Sequence, residues 1–94
     1  MFKNLDPLLH SQLRLAIISV AVSEGKIDFV RIKEVTNASS GNISVQLKKL
    51  SDAGYIEVEK TFKGNYPNTS VKVTNKGLLA FENYVNTLKQ YIEP

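Results

Sequence analysis

Ser39-Ser40-Gly41-Asn42-Ile43-Ser44-Val45-Gln46-Leu47-Lys48-Lys49-Leu50-Ser51-Asp52-Ala53-Gly54-Tyr55-Ile56 contains a helix, its start and its stop. Ile43, Leu47 and Leu50 recur at helical spacing, which predicts one buried stripe. Ser39 or Ser40 can cap the start, because a hydroxyl accepts an orphan N–H of the first turn. The helix is expected to run to about Ala53, and Gly54 to end it. At about 100° per residue, with Ile43 inward, Gly41, Asn42, Val45, Lys48, Lys49 and Asp52 fall on the far side. Ser44 and Gln46 lie at the borders. The outward face is therefore polar, with small residues at its start and two lysines further on.

Upstream, Asp28 is expected to cap a shorter helix with Phe29, Ile32 and Val35 inward, followed by the polar break Thr36-Asn37-Ala38. Residues 7–23 read as the first helix. Pro7 suits its first position, Asp6 its N-cap, and Gly25 its stop. Leu8, Leu9, Leu13, Ala16, Ile17, Val20 and Ala21 form a wide apolar stripe. Leu15, Ile18 and Val22 then leave this helix apolar nearly all round, which predicts burial on more than one side.

Downstream, Ile56, Val58 and Phe62 alternate with Glu57, Glu59 and Thr61, a half-buried strand over Tyr55–Phe62. Lys60 interrupts its apolar face near the outer end. Gly64-Asn65-Tyr66-Pro67-Asn68 is a turn-rich loop, and Val71 and Val73 alternate with Ser70 and Lys72 on the return strand. Thr74 is expected to cap a last helix reaching about Ile92. Leu78, Phe81, Val85, Leu88 and Ile92 form a heptad-like stripe on it, widened by Leu79, Tyr84 and Tyr91.

The order helix, helix, helix, hairpin, helix predicts a mainly α domain with a small β-hairpin. It is a helix-turn-helix over about 28–53, a two-stranded wing over about 55–73 and a C-terminal helix over about 75–92. The 94 residues suit one domain, 1–94, and are too few for a barrel or a doubly wound sheet. A chain of 10.5 kDa should expose about 5,400 Å² folded against about 15,000 Å² unfolded, so its core is modest. Two helices with more apolar surface than one small core can cover suggest a homodimer. Leu9, Leu13, Leu15, Ile18, Phe81, Tyr84, Val85, Leu88, Tyr91 and Ile92 are the expected contacts. The other reading is that these helices fold back on their own core.

Chemistry other than binding finds little support. The absence of cysteine excludes disulfides, thiolate metal sites and cysteine nucleophiles, and fits a reducing cytoplasm. The single histidine, His10, excludes a multi-histidine metal site in one chain and is expected on a helix surface or at a dimer contact. Arg14 is expected to pair with Asp6 or Glu24, the other reading being a phosphate contact. The glycines are scattered, with no phosphate-cradling loop, and no nucleophile–base pattern appears. An enzyme, a cofactor and a metal are therefore not expected, and nothing marks the chemistry of a small-molecule effector. The longest apolar run, Leu15–Val22, is too short to span a bilayer, so no membrane association is expected. Asp6, Pro7 and His10 argue against a signal peptide.

Residues 39–56 resemble the recognition helix and wing entry of MarR/ArsR-type winged-helix transcriptional regulators. The resemblance rests on a small polar start, then Ile43, Ser44, Leu47, Leu50, Ala53, Gly54, Tyr55 and Ile56. Leu5–Ile17 and Lys72-Val73-Thr74-Asn75-Lys76-Gly77 are similar to a subgroup of small one-domain members, so the likeness covers nearly the whole chain. It implies a winged-helix fold and a DNA-binding regulator. In this subgroup the wing loop is often arginine-rich. Here it is Lys63-Gly64-Asn65-Tyr66-Pro67-Asn68-Thr69-Ser70, with one cation, which leaves hydrogen bonds from Asn and Thr to hold phosphate.

The residues support the same partner, double-stranded DNA. Net charge is +3 overall, and residues 42–76 alone carry six lysines and three acids. Asn42 and Gln46 can each present a donor and an acceptor to adenine, and Val45 can touch a thymine methyl. Ser39, Ser40 and Gly41 let the helix start approach phosphate, with Ser44 at the border and Lys48 and Lys49 holding phosphate or guanine. On the wing, Lys63, Asn65, Asn68 and Lys72 are expected contacts. Tyr66 either enters the groove or packs on Pro67. A winged helix that binds protein rather than DNA is the alternative, supported by the weakly charged wing and the wide apolar helices.

Overall fold

The computed structural model describes residues 2–93. Residues 1 and 94 of the expected domain lie outside them. Seven elements follow one another: α1 (Gln12–Glu24), β1 (Lys26–Asp28), α2 (Phe29–Thr36), α3 (Ser40–Asp52), β2 (Ile56–Lys63), β3 (Tyr66–Val73) and α4 (Asn75–Ile92). Three helix starts follow from local chemistry. Asp28 Oδ1 accepts from the Arg31 N–H at 2.8 Å, Ser39 Oγ from Asn42 at 3.2 Å, and Thr74 Oγ1 from Gly77 at 3.0 Å.

The first helix is shorter than expected. Asp6 caps only a single turn, accepting from the Leu8 N–H at 2.8 Å through Oδ1. The Leu8 carbonyl accepts from Arg14 Nε at 2.6 Å instead of continuing a helical ladder. Leu9 turns into the core, and α1 begins only after Ser11.

The sheet also departs from the expected hairpin, because it has three antiparallel strands in the order β1-β3-β2. Ile27 pairs with Val71, and Val58 pairs with Val71 from the other side, so β3 is central. A strand of three residues with one apolar side chain is too short to show alternation in the sequence.

Leu9, Ile17, Ile18, Ala21, Ile27, Ile32, Ile43, Leu47, Leu50, Ile56, Val71 and Tyr84 form one core. Adjacent residues Ile17 and Ile18 are both fully buried, as expected of a helix covered on more than one side. Two inward expectations fail. Val35 is 42% exposed because α2 buries only Ile32, and Phe62 is 75% exposed because the hairpin runs on past the core that would cover it.

The root of the wing is fixed by backbone packing. Gly54 has φ +80°, a left-handed conformation that glycine adopts without strain. Its carbonyl accepts from Thr74 Oγ1 at 2.6 Å, and the Tyr55 carbonyl accepts from the Thr74 N–H at 3.0 Å. A β-carbon at Gly77 would overlap that Tyr55 carbonyl, so α4 can start this close to the wing only with glycine.

The molecule extends 53 × 25 × 21 Å. It exposes 6267 Å², about 800 Å² more than the size relation gives for a globular chain of this mass. No described helix is long and apolar enough to cross a membrane.

Candidate nucleic-acid interface

α3 presents the outward face that its spacing predicts. Ser40, Gly41, Asn42, Ser44, Val45, Lys48 and Lys49 are exposed, with Val45 at 51%, while Ile43, Leu47 and Leu50 are buried. The first turn holds no acidic residue, so the partial positive charge of the helix start is not neutralised there. Ser39 caps the helix and stays exposed.

The cations around α3 are loosely held. Lys48 Nζ lies 3.2 Å from Asp52 Oδ2 with both side chains mostly exposed, a pair that water and salt screen readily. Lys33 Nζ, from α2, donates to Ser40 Oγ at 3.1 Å and adds a charge at the helix start. Sequence reasoning missed Lys33 because it belongs to the preceding helix and meets Ser40 only across the turn.

Gln46 behaves differently from its exposed neighbours. It is half-buried, its Oε1 accepts from Arg14 Nη1, and its Nε2 donates to Asn42 Oδ1 at 2.9 Å. Arg14 therefore pairs with neither Asp6 nor Glu24. Asp6 Oδ2 accepts from the Tyr55 hydroxyl, and Glu24 Oε2 meets Arg31 Nη2 at 2.7 Å. The Arg31 hydrogen bond holds the Glu24 carboxyl below its usual pKa. The Tyr55 hydroxyl is pushed up to about 12, first by burial and then by the Asp6 carboxylate.

The wing divides its residues between two faces. Lys60 pairs with Thr69 and Phe62 with Pro67, on the same side as Ile56 and Val58. Beyond the core this side overhangs α3. A cleft of about 460 Å³ lies between them, lined by Phe29, Ser44, Leu47, Lys48, Ser51, Asp52, Val58, Lys60 and Thr69. Lys60 thus joins Ser44 and Lys48, and the one cation that breaks the strand's apolar alternation was its signal in the sequence.

Of the expected wing residues, Lys63, Tyr66, Asn68 and Lys72 lie on the opposite side of the sheet by register, and Asn65 is in the turn. Lys72 sits among Lys26, Glu57 and Glu59, away from α3. Lys63 Nζ is 4.0 Å from Asp28 Oδ2. Tyr66 is 78% exposed and so is not packed away on Pro67.

The expected intersubunit residues divide too. Leu9, Ile18 and Tyr84 are corrected: they are buried inside one chain and have no surface left to offer a partner. Tyr84 turns inward because its hydroxyl finds His10 Nδ1 at 3.0 Å, which also places His10 off the helix and against α4. Leu13, Leu15, Phe81, Val85 and Leu88 are half-buried, and Tyr91 and Ile92 are exposed. Tyr91 stacks on Phe2 at 4.7 Å between ring centres and donates to the Lys3 carbonyl at 2.8 Å, tying the N-terminal segment to the end of α4.

A buried-stripe helix with an open polar face, beside an overhanging wing, is the architecture of a winged-helix DNA-binding domain. The chain belongs to the family of that description, winged helix DNA-binding domain, which matches residues 13–92. It is 32% identical over 83 residues to an uncharacterized protein of Methanocaldococcus jannaschii, covering 88% of this chain and 90% of that one. Its fold is similar to that of a transcriptional regulator homologue from Pyrococcus horikoshii OT3, with a TM-score of 0.84 at 24% identity over 92% of this chain and 85% of that one. It is also similar to MarR, with a TM-score of 0.79 at 19% identity over 92% of this chain and 62% of that one. The winged helix is thus met in family and in fold, and the likeness to MarR is one of fold.

Proposed function

We propose that this protein is a homodimeric transcriptional regulator that places one α3 helix per half-site in the major groove of double-stranded DNA. The observation that carries the reading is the α3 face itself. It has an acid-free start, exposed Asn42, Ser44 and Val45, and further along the loosely paired Lys48 and the exposed Lys49. Groove contact by these residues supplies specificity, and the lysines supply phosphate attraction. The Lys60–Lys48 cleft suits a backbone phosphate passing between α3 and the wing.

The dimer is supported by the excess exposed surface and by half-buried Leu13, Leu15, Phe81, Val85 and Leu88, which continue into exposed Tyr91 and Ile92. In a two-fold dimer the half-sites would lie about one helical turn apart, roughly 34 Å. Two copies compensate for a modest charge on each.

Fluorescence anisotropy with a random duplex of about 30 base pairs, at about 50 and 200 mM salt, tests the reading. Binding is expected to weaken steeply, with a log–log slope near −5 if a dimer neutralises about six phosphates. Lys48→Ala/Lys49→Ala should remove most of it. No binding at the lower salt would overturn the proposal in favour of a protein-interaction module.

A further inference from the structure

We propose that Arg14, on α1 and outside the groove-facing surface, sets the hydrogen-bond pattern that α3 shows to DNA. The helix then reads the keto edges of guanine or thymine in preference to adenine at the base facing Asn42. The inference rests on α3 entering the major groove.

Three side chains form a chain of hydrogen bonds from α1 to the α3 face. A guanidinium has donors only. Arg14 is anchored by its Nε, which donates to the Leu8 carbonyl at 2.6 Å, in the turn before the fully buried Leu9. Its Nη1 donates to Gln46 Oε1. Because Arg14 cannot accept, the oxygen end of the Gln46 amide must face it, and the amide nitrogen must face the other way. That nitrogen lies 2.9 Å from Asn42 Oδ1. A donor there demands an acceptor, so Asn42 in turn must direct its oxygen along the helix towards Gln46. Its Nδ2, with two N–H groups, is the end left for a ligand.

A free asparagine reads adenine by accepting from N6 and donating to N7. Asn42 is held with its oxygen turned along the helix and one of its two lone pairs engaged, so the group it turns to a base edge is the Nδ2 donor. Guanine offers two acceptors, N7 and O6. Thymine offers O4, with its methyl beside the exposed Val45. Adenine N7 accepts from Nδ2, but its N6 donor meets an oxygen already turned towards Gln46, so adenine makes one hydrogen bond fewer than guanine. Arg14 is a positioning residue in this scheme: it touches no base and acts through Gln46.

The test is selection from a randomised duplex library, followed by competition with single-base variants of the selected site. Asn42→Ala identifies the position Asn42 reads, as the one whose preference it abolishes. At that position the native protein should favour guanine or thymine over adenine by roughly tenfold. Arg14→Met releases Gln46, and the preference should flatten to within about threefold while the salt slope stays unchanged, which a general loss of structure would not produce. Gln46→Glu is the second variant, since it keeps a partner for Arg14 and the fold. A carboxylate facing Asn42 accepts only, so the Asn42 amide turns over and the preference should invert towards the amino bases, adenine or cytosine. Adenine selected by the native protein, or a preference that neither variant moves, overturns the inference and leaves DNA binding standing. Salt-sensitive binding with no preference at any position does the same. No binding of any duplex at about 50 mM salt overturns both.

Discussion

α1 and α3 are both 13 residues long, yet they are made differently. α3 is built from local signals: a serine cap, one inward stripe and a polar outer face. α1 has no side-chain cap and buries Ile17, Ile18 and Ala21, contacts that point in more than one direction. Its surroundings hold it, whereas α3 contributes its own instructions. A helix of the first kind makes a scaffold, because it touches α2, α3, α4, β1 and β3 together. A helix of the second kind can leave half its surface to a ligand. Arg14 is where the scaffold reaches out and holds the presented face.

The largest effect should come from the scaffold. Ile17→Ala and Ile18→Ala are each expected to cost about 2–5 kcal/mol, read as a fall in the urea midpoint, because each leaves a cavity in a fully closed site. On α3 the corresponding neighbours should differ sharply. Leu47→Ala should destabilise comparably, while Lys48→Ala should stay within about 0.5 kcal/mol. Equal costs for Ile17 and Ile18 but also for Leu47 and Lys48 would break the contrast.

A smaller effect should appear where the entry to α1 is tied to the exit of α3, at the bond from the Tyr55 hydroxyl to Asp6 Oδ2. Tyr55→Phe should cost about 1.5 kcal/mol at neutral pH. Its pKa is raised in the fold from 10.0 to about 12, so the protonated hydroxyl is the form the fold favours. Its contribution should be complete below pH 10 and be lost as pH rises towards 12. The gap in stability between native protein and variant should therefore close over that window. A constant gap would mean that packing, not the hydroxyl, links the two helices.

The smallest effects sharpen the comparison at the caps. Ser39→Ala should cost about 1 kcal/mol, because its hydroxyl serves the Asn42 N–H. Ser11→Ala should change stability by less than about 0.5 kcal/mol, because the Ser11 side chain caps nothing. Thermal or urea unfolding of the two variants side by side measures the difference.

What was legible in the sequence followed the same division. The capped helices α2, α3 and α4 start where Asp28, Ser39 and Thr74 say they should. The stripe of α3, its polar face and the wing alternation were readable because each is periodic over several residues. The first helix was placed too early because Asp6-Pro7 satisfies the rules for a helix start, and nothing local shows that the Leu8 carbonyl will be claimed by Arg14. Phe62 looked inward because alternation along a strand carries no information on where the core stops.

By itself the sequence therefore determined the order of the four helices and the hairpin, the winged helix-turn-helix and the face that α3 turns outward. Those depend on interactions between residues a few positions apart, which spacing records. Only the tertiary structure decided that β1 joins the sheet, that Leu9, Ile18 and Tyr84 are used up inside the chain, and that Lys60 faces α3 across a cleft. It alone placed Arg14 against Gln46, 32 positions away. Contacts of that range depend on how whole elements dock, and docking is set by the combined shape of the core rather than by any one residue's neighbours in the chain.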